Sequence, residues 1–124
     1  MRVLVADDDP FNRDILSRLI ARLGMEVDVA SDGAEALSII GSSPPYDLAL
    51  LDLSMPVMDG LEATRLIRKS EAGGSLRRLP LIALTGSDED PSILEAGFDE
   101  MLQKPIGAQA LKEALERWGR GNAP

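Results

Sequence analysis

The chain of 124 residues has no cysteine and no histidine. Without cysteine it has no disulfide framework and no thiolate chemistry. Without histidine it lacks the commonest general base and a common metal ligand, so any bound metal has to be a hard cation on oxygen ligands. No apolar run is long enough to span a bilayer. The opening "MRVLVADDD" lacks the charged, apolar and small-residue regions of a secretory leader. The expected setting is therefore cytoplasmic, with no direct membrane contact. Basic residues are in deficit, 13 against 21 acidic, for a net charge of −8. Such a chain is a poor match for a binder of phosphate backbones, and no direct nucleic-acid contact is expected.

Apolar residues make up 44% of the chain, and its length suits one domain with a real core. Short apolar runs alternate with helical patterns throughout. "RVLVA" (2–6) reads as a buried strand. In "PFNRDILSRLIARLG", Phe11, Ile15, Leu19 and Leu23 fall at i, i+4 spacing, and most of this stripe is expected in the core, with one or two residues near the helix start exposed. Asp9 suits the N-cap, Pro10 the first helical position and Gly24 the C′ site. "MEVDVA" alternates like a half-exposed strand. "SDGAEALSII" reads as a short helix capped by Asp32 or Ser31. Residues 42–45, "SSPP", read as a loop. "YDLALLDL" is nearly all apolar, as in a central parallel strand. Asp59 opens another helix with Glu62 at capping-box distance. "EAGGSLRR" (71–78) reads as a loop, "LPLIALT" as a fourth strand, Pro91–Ala96 as a short helix ending at Gly97, and "FDEMLQ" as a fifth strand. The last helix carries Leu111, Leu115 and Trp118 on one face.

Five βα units with right-handed crossovers put helices on both faces of a parallel sheet. The fold class is α/β, a flavodoxin-like doubly wound five-stranded sheet, with residues 1–119 as the domain and 120–124 as a polar tail. Ligand sites in such sheets lie beyond the C-terminal strand ends. "VADDDP" (5–10) puts three aspartates there after strand one. Asp52 ends strand three, Thr85 strand four and Lys104 strand five. Taken singly, each has a plain role: a cap, a strand-end acid, a turn hydroxyl, a solvated charge. Those roles do not explain why all five of Asp7, Asp8, Asp52, Thr85 and Lys104 fall at one edge. Clustered carboxylates need a cation, and Mg²⁺ suits a site that handles phosphate.

"VADDDP", "LALLDLSMPVMDGLEATRLIR", "LPLIALTG" and "EAGFDEMLQKPI", in this order, resemble the receiver domain of two-component response regulators over essentially the whole chain. The resemblance implies that Asp52 accepts a phosphoryl group from a phosphohistidine. The partner is a histidine kinase or a histidine phosphotransfer domain. Asp7, Asp8, Asp52 and the carbonyl of Ser54 are implied as Mg²⁺ ligands. Lys104 and Thr85 are implied to hold the phosphoryl group, and the Lys104–Pro105 peptide to be cis. The first helix, the "LEATRLIR" segment and the long 71–78 loop resemble receivers of hybrid histidine kinases, where the first helix supplies an apolar docking surface.

Met101 stands where receivers often carry Tyr or Phe, so the usual aromatic switch is missing. The segment "GSDEDPSILEA" is short, which predicts a fourth helix about one turn short. Ser54 and Ser87 fall at positions that tune hydrolysis in the family. Two rival readings stand beside a phosphoacceptor. One is a metal-dependent phosphohydrolase, against which Ser54 stands where a second acid is usual. The other is a phosphorylation-independent pseudo-receiver, against which the acid, threonine and lysine set is intact.

Overall fold

The computed structural model describes residues 1–42, 46–73, 78–86 and 91–119. Five strands and five helices alternate: β1 (Arg2–Ala6), α1 (Pro10–Arg22), β2 (Glu26–Ala30), α2 (Gly33–Ser42), β3 (Leu48–Asp52), α3 (Gly60–Ala72), β4 (Leu81–Thr85), α4 (Pro91–Ala96), β5 (Glu100–Gln103) and α5 (Ala108–Gly119). The strands pair in parallel in the order β2-β1-β3-β4-β5. The chain reverses its direction of travel across the sheet after β2, and the loops after β1 and β3 flank that switch point.

Strand alternation divides the core in two. Val3, Val5, Leu48, Leu50, Ile82 and Leu84 face α1 and α5, packing with Leu16, Ile20, Leu111 and Leu115. Leu4, Ala6, Ala49, Leu51, Leu81 and Ala83 face the other layer, with Ala36, Ala63, Ile67 and Ile93. The three central strands are buried on both faces, which is why their sequences are apolar without alternation. β2, at an edge, keeps polar residues at Glu26 and Asp28.

The helix boundaries follow their caps. Asp9 accepts from Phe11 N–H at 2.9 Å and Pro10 takes the first helical position. Gly24, at φ +84°, closes the same helix in the left-handed region. Asp32 caps α2 by accepting from Glu35 N–H at 2.8 Å, while the Glu35 carboxylate accepts from Ser31 N–H at 2.9 Å. Asp59 caps α3 by accepting from Glu62 N–H at 2.9 Å.

Three expectations are corrected. The fully buried residues of α1 are Leu16 and Ile20; of the Phe11–Ile15–Leu19–Leu23 line only Leu19 packs against the core, while Phe11 and Ile15, near the helix start, are exposed as expected and Leu23 is exposed against expectation. At about 100° per residue, Ile15 and Phe11 lie roughly 100° and 140° round from Leu16 and turn off the sheet. Leu23 falls at the helix cap, where the sheet no longer covers it. α2 continues through Ser42. α3 continues through Ala72, because Glu71 pairs with Arg68 at 2.8 Å and accepts Leu79 N–H at 2.7 Å. The remainder of both expected loops, the segment before Pro91 that includes Ser87, and the 120–124 tail lie outside the described residues. α4 has six residues.

Candidate functional site

Asp7 follows β1 and is fully buried; Asp52 is the last residue of β3 and is 4% exposed. Asp8, beside Asp7, is exposed. One carboxylate oxygen from each of Asp7, Asp8 and Asp52 lies within 4.8 Å of the others. Lys104 leaves the end of β5 and sets Nζ 2.8 Å from Asp52 Oδ2 and 3.4 Å from Asp7 Oδ2. Its main chain is fixed by Thr85, whose carbonyl accepts Lys104 N–H at 2.7 Å. The Lys104–Pro105 peptide is cis, as the resemblance implied. Thr85 itself is buried at the end of β4, between the strands that carry Asp52 and Lys104. Ser54 donates its N–H to Asp52 Oδ1 at 3.1 Å.

The parallel register makes this convergence. Strands that start together end together, so the residue after each strand reaches the same rim. The loop from Leu53 to Gly60 is fastened back on itself by a Gly60 N–H bond to the Leu53 carbonyl. A Cβ at Gly60 would stand 2.4 Å from the Asp52 carbonyl oxygen, so only glycine lets α3 begin this close to the acid's own backbone.

The electrostatics favour a cation. Burial pushes the Asp7 carboxyl above its ordinary range, and the Asp52 charge adds to that; the Asp9 N–H and Lys104 oppose it. Burial alone would lower the Lys104 ammonium, but its bond to Asp52 and the charges of Asp52 and Asp7 hold it above its ordinary value. Asp7 Oδ2 is buried and accepts no hydrogen bond among the described residues. An all-oxygen donor set containing such an orphaned carboxylate oxygen fits a hard divalent ion.

Asp7, Asp8, Asp52 and Lys104 are therefore brought together as the sequence led one to expect, with Thr85 on the intervening strand and Ser54 reaching the site through its backbone. Arg13 was not anticipated. It donates Nη1 to the Asp7 carbonyl at 2.9 Å. The sequence held a signal, since a helix whose first turn has no acid but carries a cation runs against the helix dipole.

Doubly wound five-stranded α/β domains with a strand-end aspartate between two further acids and a lysine form a recognisable class of signalling module. The chain belongs to the response regulator receiver domain family, whose model matches residues 3–116. It is 38% identical over 124 residues to the hybrid signal transduction histidine kinase L of Dictyostelium discoideum, covering 96% of this chain and 7% of that protein. It is 37% identical over 120 residues to the sensor protein GacS of Pseudomonas syringae pv. syringae, covering 94% of this chain and 13% of that protein. The chain thus spans a small fraction of these relatives. Among solved structures, it is similar to the receiver domain of a sensor histidine kinase from Pseudomonas aeruginosa, which has a magnesium ion coordinated in its active site cleft (TM-score 0.84, 35% identity, 95% of this chain and 96% of that one). It also matches a chain of the co-crystal structure of the Saccharomyces cerevisiae histidine phosphotransfer protein Ypd1 with the receiver domain of its downstream response regulator Ssk1 (TM-score 0.92, 28% identity, 100% of this chain and 92% of that one). The chain is a phosphorelay receiver domain.

Proposed function

We propose that Asp52 is the phosphoacceptor and that the reaction depends on Mg²⁺. The observation that carries this is the buried Asp52 carboxylate, 2.8 Å from Lys104 and grouped with oxygens of Asp7 and Asp8. A carboxylate oxygen of Asp52 attacks the phosphorus of a partner's phosphohistidine. The new O–P bond forms as the N–P bond breaks. The electrons of that bond stay on the imidazole, which leaves neutral when its other nitrogen already carries a proton. Lys104 neutralises charge on the equatorial oxygens, and the Thr85 hydroxyl donates to one of them. Asp7, Asp8, Asp52 and the Ser54 carbonyl would hold Mg²⁺, which supplies further charge neutralisation when bound. The same residues assist later hydrolysis, so the chain is a signalling domain that promotes its own phosphorylation and dephosphorylation rather than a turnover enzyme.

The donor is a histidine kinase or a histidine phosphotransfer domain, in the cytoplasm where such donors are phosphorylated. Phe11 is 71% exposed and Ile15 is exposed beside it on α1. A cleft runs from Asp7 and Lys104 to Ile15, Pro105 and Ile106, giving an apolar approach for the histidine-bearing helix. The added phosphoryl group brings about −1.5 to −2 charges and three strong acceptors. The response passes through Thr85 at the end of β4, with half-buried Met101 packed beside the β4 core in place of an aromatic ring.

Acetyl phosphate with Mg²⁺, read by intact mass, tests the proposal. One phosphoryl group should add to the wild-type chain and none to Asp52→Asn, whose melting temperature should stay close to wild type. Comparable labelling of Asp52→Asn refutes the assignment, and an unlabelled wild type favours the pseudo-receiver.

A further inference from the structure

Asp7 has four polar atoms, and three of them are committed. Its N–H donates to the Ala30 carbonyl at 3.1 Å. Its Oδ1 accepts from Asp9 N–H at 2.9 Å. Its carbonyl accepts from Arg13 Nη1 at 2.9 Å. Oδ2 is left, buried and without a hydrogen bond among the described residues, on the side of Asp52 and Lys104.

Arg13 does not serve α1 by this arrangement. Its own N–H makes an ordinary helical bond to the Asp9 carbonyl at 3.0 Å, which any residue could supply. Its guanidinium lies near the positive end of the helix dipole, an unfavourable place for a cation. Among the described residues it forms no ion pair. What the side chain does is cross the β1–α1 turn and hold the main chain of the buried acid.

We infer that Arg13 is a positioning residue for the metal site: by fixing the Asp7 carbonyl it locks the turn so that Asp7 offers one oxygen, Oδ2, to the cation. The inference rests on the reading of Asp7, Asp8 and Asp52 as a Mg²⁺ site. Groups that orient metal ligands without touching the metal typically change affinity by about 10- to 100-fold when removed. Arg13 acts through one backbone bond, so the low end applies.

The test is titration calorimetry of Mg²⁺ into the full chain, with thermal melting of each variant in EDTA. Arg13→Ala should bind Mg²⁺ about tenfold more weakly than wild type. Arg13→Lys, which keeps a donor able to reach the carbonyl, should recover affinity to within about threefold of wild type, an effect that loss of general stability would not produce. If Arg13→Ala does not fold, Arg13→Met keeps the apolar stem without the donor and is held to the same tenfold criterion. Alanine or methionine variants that bind as tightly as wild type overturn the inference while leaving the metal site standing, as does a lysine variant no better than alanine. A wild-type chain that takes up no Mg²⁺ overturns both.

Discussion

Two buried side-chain oxygens have no hydrogen-bond partner among the described residues, Asp7 Oδ2 and Thr64 Oγ1, and they differ in what surrounds them. The first faces a lysine and two more acids at the strand-end rim, where a cation would satisfy it. The second is on α3, fully buried and outside the acidic cluster found among the described residues. An unpaired buried hydroxyl carries a desolvation penalty of about 1–3 kcal/mol. Thr64→Val keeps the branched shape and removes the hydroxyl. It should stabilise the fold by about 1 kcal/mol in urea denaturation and leave phosphoryl uptake unchanged. A loss of stability would mean that the hydroxyl has a partner. Asp28 makes the opposite case. Its Oδ2 accepts from Tyr46 OH at 2.7 Å and from Arg2 at 2.9 and 3.1 Å. The Tyr46 bond first, then the Arg2 bond, hold its carboxyl below the ordinary range. A depressed carboxyl stabilises the fold in full above its unfolded pKa of about 3.9, and this is lost as pH falls toward the folded value. The contribution is small, since the side chain is 42% exposed. The stability gap between wild type and Asp28→Asn should therefore be present at pH 6 and shrink by pH 3. A gap independent of pH would rule out the ion pair as its source.

At the scale of elements, the loop between β3 and α3 carries strain. Val57 sits at φ +67°, and Met58 N–H bonds back to the Pro56 carbonyl at 2.7 Å, a tight three-residue turn. A β-branched residue in this region is costly, about 1–3 kcal/mol. Val57 is 83% exposed, so no burial offsets the strain. The loop is nonetheless pinned on both sides: the Met58 carbonyl accepts Gly33 N–H at 3.0 Å, and Gly60 abuts Asp52. Val57→Gly removes the clash and adds chain entropy to the unfolded state, for a net gain of about 1 kcal/mol in chemical denaturation. A less stable glycine variant would show that the valine conformation is not strained. This turn was not legible in "SMPVMDG", where valine argues against a positive φ. The strands and caps were legible, because apolar runs and Asp9, Asp32 and Asp59 act locally. The buried face of α1 was not, since Phe11, Ile15, Leu16, Leu19, Ile20 and Leu23 allow more than one stripe and the sheet chooses between them.

Across the whole molecule, the rim could be anticipated for a geometric reason: parallel strands in register deliver Asp7, Asp52, Thr85 and Lys104 to one edge. Contacts that depend on the reach of a long side chain could not. Arg13 holding Asp7 is one. Arg68 is another; it donates to the carbonyls of Leu79 and Gly97 and to Glu71 and Asp99, tying α3 to the ends of α4 and β5 across up to 31 residues. We propose that the rim serves to let Asp52 take a phosphoryl group. The most direct test is to phosphorylate the chain with acetyl phosphate and Mg²⁺, reduce the acyl phosphate with borohydride, and map the peptides. Homoserine should appear at position 52 and no other aspartate should be reduced, with the product lost when EDTA replaces Mg²⁺. Reduction at Asp7, Asp8 or elsewhere, or a phosphorylated chain with residue 52 intact, would contradict it.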